Sequence, residues 1–101
     1  MRLSASEIEI IKRVTIEVWG NKTLIYLFGS RTDDSKKGGD IDLYVQLDEE
    51  QEPKKIMIQK AAFLSKLDIL LGEQKIDVVI KTRDNNHLPI IKSAQLNGIA
   101  L

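Results

Sequence analysis

The chain has 101 residues, of which 43% are hydrophobic and 30% are charged, and its 15 Lys and Arg balance its 15 Asp and Glu. This size and composition predict one soluble globular domain over residues 1–101 with a modest core. Zero net charge gives no support for strong nucleic-acid binding, the lack of cysteine excludes disulfides and thiolate metal sites, and no apolar stretch is long enough for a membrane span or a signal peptide. We therefore expect a cytoplasmic protein that does not associate with membranes.

The first predicted element is a helix that begins at Ser4 or Ser6. Both Ser4-x-x-Glu7 and Ser6-x-x-Glu9 fit the capping-box pattern. One face of this helix then carries residues at helical spacing, namely Ile8, Ile11, Thr15, Val18 and Trp19. Gly20 is expected to end the helix, and Trp19 is expected to anchor a core or an interface.

A strand, a turn and a polar loop follow. Thr23 to Phe28 is apolar and rich in β-branched and aromatic residues, which is typical of an inner strand. Gly29 and Ser30 come next, and Arg31 to Gly39 contains no apolar residue. Gly29 has two explanations. It either allows a tight turn with positive φ, or it lets a phosphate approach the backbone while Ser30 donates hydrogen bonds.

The second strand, predicted from Ile41 to Leu47, begins beside two aspartates. Because residues i and i+2 of a strand share a face, Asp40 and Asp42 point one way and the apolar residues that alternate with them point the other way. Two neighbouring carboxylates repel each other unless they are well hydrated or a cation lies between them. Mg2+ prefers oxygen ligands and combines one or two carboxylates with substrate phosphates. The pair is therefore a candidate metal site.

A second helix is predicted from Pro53 to Leu71, because proline suits the first turn of a helix and Gly72 follows the last apolar residue. Its apolar surface is broad. One stripe consists of Met57, Ala61, Leu64, Asp68 and Leu71, and a neighbouring stripe consists of Ile56, Phe63, Leu67 and Leu70. We expect this helix to pack on the sheet and to offer a surface to a partner.

A third strand is predicted from Lys75 to Ile80, with Asp77 and Val79 on one face. A charged residue within a short apolar strand is costly unless it is paired, bound to a ligand or exposed. Taken alone, Asp77 is better explained as an edge-strand charge that faces water and prevents aggregation. A last helix is predicted from Pro89 through Asn97, ending at Gly98.

Three of these features, in this order along the chain, resemble the signature of the DNA polymerase beta-type nucleotidyltransferases. They are Gly29-Ser30, Asp40-x-Asp42, and Asp77 on a later strand. The short chain resembles the minimal nucleotidyltransferase branch, and the resemblance spans roughly residues 23–80. The element order indicates an α/β or α+β domain, a small mixed sheet of at least three strands with helices packed on it, in which the first two strands pair antiparallel. The resemblance implies an active site at one edge of that sheet.

The resemblance also implies roles for the carboxylates. Asp40 and Asp42 would hold two Mg2+ ions that bridge the phosphates of ATP. Asp77 would help to hold the catalytic metal and assist deprotonation of the acceptor hydroxyl.

The resemblance further implies that the phosphates of ATP bind at Gly29 and Ser30. Arg31 is either a solvated loop charge or a cation that stabilises the triphosphate.

Stand-alone members of the family often pair with a helical HEPN-type protein as a toxin–antitoxin system, and some attach AMP to a tyrosine of the toxin. The resemblance thus implies transfer of AMP from ATP to a hydroxyl acceptor, with a HEPN-type tyrosine as the candidate acceptor and an antitoxin role for this chain. The alternative is a non-catalytic module that neutralises a helical partner by contact alone. Mg2+-dependent ATP binding distinguishes the two, because a pure interaction module would show none.

Overall fold

The computed structural model describes residues 3–28, 41–72, 74–82 and 88–101. Within these ranges the elements, in chain order, are α1 (Ala5–Trp19), β1 (Leu24–Phe28), β2 (Ile41–Gln46), α2 (Pro53–Leu71), β3 (Ile76–Ile80), α3 (Pro89–Asn97) and β4 (Ile99–Ala100). The strands form one mixed sheet in the order β3-β2-β1-β4. β2 and β3 are parallel, and β1 is antiparallel to both β2 and β4. The predicted α+β fold with a small mixed sheet is confirmed.

Capping residues account for the ends of the first two helices. The Oγ of Ser4 accepts a hydrogen bond from the Glu7 backbone N–H (3.1 Å), and the Glu7 carboxylate accepts one from the Ser4 N–H (3.0 Å). This reciprocal pair selects Ser4 over Ser6 as the start of α1. Gly20 and Gly72 follow α1 and α2 with φ of 99° and 81°, a region in which a side chain would be strained.

The main core lies between one face of the sheet and the pair α1 and α2. Alternating residues of β1, β2 and β3 are buried there, together with inward residues of both helices: Ile25, Leu27, Ile41, Leu43, Val45, Val78, Ile80, Ile11, Val14, Phe63 and Leu67. Trp19 joins α1 to α2, because its ring lies 4.9 Å from that of Phe63 and its indole N–H donates to Gln59 Oε1 (3.1 Å). The expected anchoring role of Trp19 is confirmed.

The two predicted stripes of α2 face this core unequally: Leu64 and Leu71 of the first are partly buried against it, and Leu70 of the second is 50% exposed. Phe63 and Leu67 are completely buried, whereas Met57 is 70% exposed. The sheet and α1 contact the same side of α2, so the outer side keeps exposed apolar residues, including Ile58 at 62% and Ile69 at 80%. No helix among the described residues is sufficiently long and apolar to cross a bilayer.

The opposite face of the sheet is covered by α3. Tyr44, Ile91 and Ala94 are fully buried there, and Tyr26, Phe28 and Val79 pack against them. The chain then returns alongside β1, where the Leu101 N–H donates to Ile25 O (3.0 Å). This return forms β4, which the sequence did not predict.

Candidate active site

Two of the three predicted catalytic carboxylates lie side by side in the sheet. Asp42 on β2 and Asp77 on β3 are directly opposite each other in the parallel register. Neighbouring strands lie about 4.8 Å apart, and opposed residues project from the same face, so the two side chains are neighbours. Asp42 is half-buried and Asp77 is exposed. The pairing was implied only by resemblance, and the fold brings the two residues together.

The parallel ladder between β2 and β3 sets this register. The Ile41 N–H donates to Lys75 O (3.0 Å) at one end of the ladder, and the Lys81 N–H donates to Val45 O (2.9 Å) at the other end. α2 connects the two strands, as a parallel pair requires. Both strands therefore begin at the same end of the sheet, and each has its aspartate at the second position.

A third strand extends the row of side chains. Phe28, the last residue of β1, is the antiparallel partner of Asp42. The order across the sheet is therefore Phe28, Asp42 and Asp77, with Asp77 on the terminal strand of the described sheet.

The other predicted site residues cannot be placed in this row. Gly29, Ser30, Arg31 and Asp40 lie outside the described residues. Their roles in phosphate and metal binding stay predictions.

A buried tyrosine supports the site from the next row of the sheet. Tyr44 lies two residues after Asp42 on the same face; its hydroxyl accepts a hydrogen bond from Gln95 Nε2 (3.2 Å) and donates one to Gln46 Oε1 (3.2 Å). Burial raises the pKa of Tyr44, the hydrogen bond from Gln95 opposes this, and the neighbouring Tyr26 adds to it. Tyr44 is therefore a neutral structural group at physiological pH. Its i+2 spacing from Asp42 was the signal that sequence reasoning did not use.

Asp42 and Asp77 line a groove of about 390 Å³ that runs along β3. Its described lining consists of Phe28, Asp42, Asp77, Val79 and Ile90 together with Lys60, Leu64, Ile76 and Val78. Lys60 contributes a positively charged side chain to this lining from α2. Sequence reasoning missed Lys60; its position one helical turn before Leu64, which also lines the groove, is the signal that could have found it.

The donor set of this groove fits a hard divalent cation. Asp42 and Asp77 offer carboxylate oxygens, which Mg2+ prefers as ligands. Within the described ranges no three His, Cys, Asp or Glu side chains converge on one metal-binding point. The predicted third ligand, Asp40, lies outside those ranges.

A larger cavity, of about 660 Å³, lies at the opposite ends of β2 and β3. It is lined by the exposed acidic loop 48–50, by Gln51 and by Lys81, among other residues. Size alone would favour it, but it contains neither of the two opposed carboxylates. The groove at Asp42 and Asp77 is therefore the better candidate for chemistry.

Comparison with known proteins identifies a family for this chain. The family model described as "Polymerase beta, Nucleotidyltransferase" matches residues 9–101, a stretch that includes both opposed aspartates and every strand of the sheet. No curated protein matches the sequence. The family match confirms the nucleotidyltransferase superfamily that the motif resembles. The chain therefore belongs to the polymerase beta nucleotidyltransferase family.

Proposed function

We propose that this protein is a Mg2+-dependent nucleotidyltransferase that transfers AMP from ATP to a hydroxyl acceptor. The observation that carries the proposal is the direct opposition of Asp42 and Asp77 on parallel strands, in a chain of this family. Two like charges at this spacing destabilise a sheet unless a counter-charge offsets them. A divalent cation bound to a triphosphate supplies that counter-charge.

The chain's own residues have separate tasks in this reaction. Asp40, Asp42 and Asp77 would hold Mg2+, which when bound neutralises charge on the triphosphate and on the attacking oxygen. Asp77 is the outer of the two described carboxylates and is exposed, so it is available to take the proton of the acceptor hydroxyl. The acceptor oxygen then bonds to the α-phosphorus, the bond from that phosphorus to the bridging oxygen breaks, and pyrophosphate leaves.

Binding of the nucleotide falls to the segment after β1. Gly29 and Ser30 would contact the phosphates through backbone and hydroxyl groups, and Arg31 would add a guanidinium. Phe28, the last described residue before this segment, pairs with Asp42 across β1 and β2, which is consistent with this role.

For the acceptor we propose a helical HEPN-type protein, with this chain as its antitoxin. Support comes from the outer side of α2, where Met57, Ile58 and Ile69 are each at least 62% exposed. Exposed apolar residues grouped on one element are typical of surfaces that contact another protein. The alternative, a module that neutralises such a partner by contact alone, uses the same surface but does not require the carboxylates.

The test is transfer of label from α-labelled ATP, with Mg2+, to a HEPN-type protein or to a cell lysate. Asp42→Asn should lower the transfer rate by on the order of 100-fold or more, because loss of a charged metal ligand costs several kcal/mol of transition-state stabilisation. Asp48→Asn is the matched control, since Asp48 is exposed and lies at the other end of β2.

Equal transfer by the wild type and Asp42→Asn would refute the metal role of Asp42. A stoichiometric complex with the partner, without transfer and without Mg2+-dependent ATP binding, would favour the non-catalytic alternative.

A further inference from the structure

β3 is the terminal strand of the described sheet, and its free side has a defined hydrogen-bonding pattern. The bonds of Lys75 O and the Lys81 N–H to β2 fix which backbone groups face the sheet. In a parallel ladder these groups alternate, so the amides of Asp77 and Val79 point towards β2. The amides and carbonyls of Ile76 and Val78 point the other way. Among the described residues no strand pairs with β3 on that side.

The groove that contains the two carboxylates follows this same edge. On one side of β3 it is lined by Asp77 and Val79 with Ile90 of α3, and on the other side by Lys60 and Leu64 of α2. A chain lying in the groove would meet backbone groups in the middle and side chains on both sides. This is the arrangement that accepts an added β-strand.

The order of Phe28, Asp42 and Asp77 across the sheet indicates which substrate the groove would bind. The proposed nucleotide-binding segment follows β1, next to Phe28, and Asp77 lies on the far side of Asp42. The acceptor hydroxyl has to reach Asp77 without displacing the nucleotide. Within the part of the chain that the structure describes, the β3 edge offers that route, because no described strand covers it.

We infer that the acceptor is an extended polypeptide segment that adds to β3 as a further strand and places a hydroxyl side chain beside Asp77. The inference rests on the proposed nucleotidyl transfer and names the substrate class of that site. The backbone of the segment bonds to Ile76 and Val78, which provides affinity without a large contact area.

Side-chain alternation then predicts the acceptor sequence. The residues before and after the hydroxyl residue project to the α2 side, where Leu64 favours an apolar side chain and Lys60 favours a nearby acidic one. The residues two positions away lie on the side of Val79 and Ile90 and are also expected to be apolar.

A nucleic acid is a poorer occupant of this groove. Lys60 is the basic side chain among its described lining, and the chain has no net positive charge to attract phosphates.

The test uses the full chain and a fluorescent peptide of about seven residues, long enough to span β3. The peptide has a central tyrosine, a valine on each side of it and a glutamate at one end. A series of peptides carries a single N-methyl group at each position in turn. Affinity is measured by fluorescence anisotropy with and without Mg2+ and a non-hydrolysable ATP analogue, and transfer of label is measured separately with Mg2+ and α-labelled ATP.

Strand addition predicts an alternating result. N-methylation weakens binding about three- to tenfold at every second residue, where the N–H faces β3, because a hydrogen bond is lost there. The intervening positions, whose N–H groups face away, tolerate the same methyl group. A peptide with phenylalanine in place of tyrosine should bind equally well and accept no label.

A pair of protein variants tests the same contact from the other side. Val78→Pro removes the N–H that points away from β2 and leaves the ladder to β2 intact. Val78→Ala is the control. It keeps the N–H but, like Val78→Pro, loses the valine side chain, which is only 4% exposed. Peptide affinity should fall further in Val78→Pro than in Val78→Ala, with circular dichroism used to check that both variants fold.

The outcomes separate this inference from the proposed function. Alternating affinity without label transfer supports strand addition and refutes nucleotidyl transfer. Transfer or binding that is insensitive to the position of the N-methyl group overturns strand addition, as does absence of peptide binding. The peptide series decides the question even if Val78→Pro does not fold.

Discussion

Asp77 satisfies two physical explanations at once. It is exposed on a terminal strand of the described sheet, where a charge discourages pairing with other chains. A lysine would serve that purpose equally well and would form a favourable pair with Asp42 across the strands. The aspartate instead creates a like-charge pair, which destabilises a sheet by up to about 1 kcal/mol. Prevention of aggregation alone therefore does not explain the choice of aspartate over lysine, and the proposed cation between the two carboxylates would explain it.

Tyr44 gives a pH-dependent prediction. Burial raises its pKa in the folded state. Above the unfolded-state pKa of about 10, the unfolded chain loses a proton that the folded chain retains, so the free energy of unfolding falls as pH rises. The stabilisation from Tyr44 is complete below that pH and is lost as pH rises through the folded-state pKa. Urea unfolding of wild type and Tyr44→Phe at several pH values should show this difference.

The control in that experiment is the comparison itself, because every other ionisable group is present in both variants. Below about pH 9, Tyr44→Phe should be less stable by about 1 kcal/mol, owing to the hydrogen bonds with Gln46 and Gln95. Towards pH 11 the difference in the free energy of unfolding between wild type and Tyr44→Phe should become smaller. A constant gap over the whole range would show that Tyr44 titrates alike in both states.

At the scale of elements, local signals predicted most of the structure. Proline at the first turn and glycine after the last turn bounded α2 and α3 correctly at Pro53–Leu71 and Pro89–Asn97. The strands differ from prediction by one residue at an end. β4 has two residues and no pattern of its own; it exists because the outer side of β1 lacks another partner among the described strands. No local sequence signal predicts a strand of that kind.

Gly98 makes this return possible and provides a prediction for the α3–β4 junction. A Cβ at Gly98 would collide with the carbonyl oxygen of Ala94 and lie 3.2 Å from the Cβ of Tyr26. The φ of Gly98 is −70°, so the constraint is space and not backbone conformation. Gly98→Ala should lower the free energy of unfolding by about 1–3 kcal/mol, as overpacking does elsewhere.

Urea unfolding measures this cost, and Asn97→Ala is the control, because Asn97 is the exposed last residue of α3. Hydrogen exchange at the Leu101 amide, which bonds to Ile25 O, should become faster in Gly98→Ala. Unchanged stability together with unchanged exchange would mean that the junction relaxes without cost.

At the scale of the whole molecule, the candidate site is a product of topology. The alternation of residues along each strand correctly predicted that the side chain of Asp42 lies on the other face of the sheet from the core residues Ile41 and Leu43. It did the same for Asp77 and the core residue Val78. It could not place Asp42 next to Asp77, because their proximity depends on the parallel pairing of β2 and β3, two strands that are separated in sequence by the whole of α2. Lys60 entered the groove for the same reason. Resemblance to a family suggested the pair, and the fold explains it.

The assembled site predicts a coupling between ligand binding and global stability. A ligand that binds only the folded state adds about 2.7 kcal/mol at 100 times its Kd, and each kcal/mol raises the Tm of a domain this size by about 4–8 °C. Mg2+ with ATP should therefore raise the Tm of the wild type clearly, while ATP with a chelator should not. Asp42→Asn should lose most of the increase and Asp48→Asn should keep it. Differential scanning fluorimetry measures all four conditions, and an equal shift in wild type and Asp42→Asn would place the nucleotide elsewhere on the molecule.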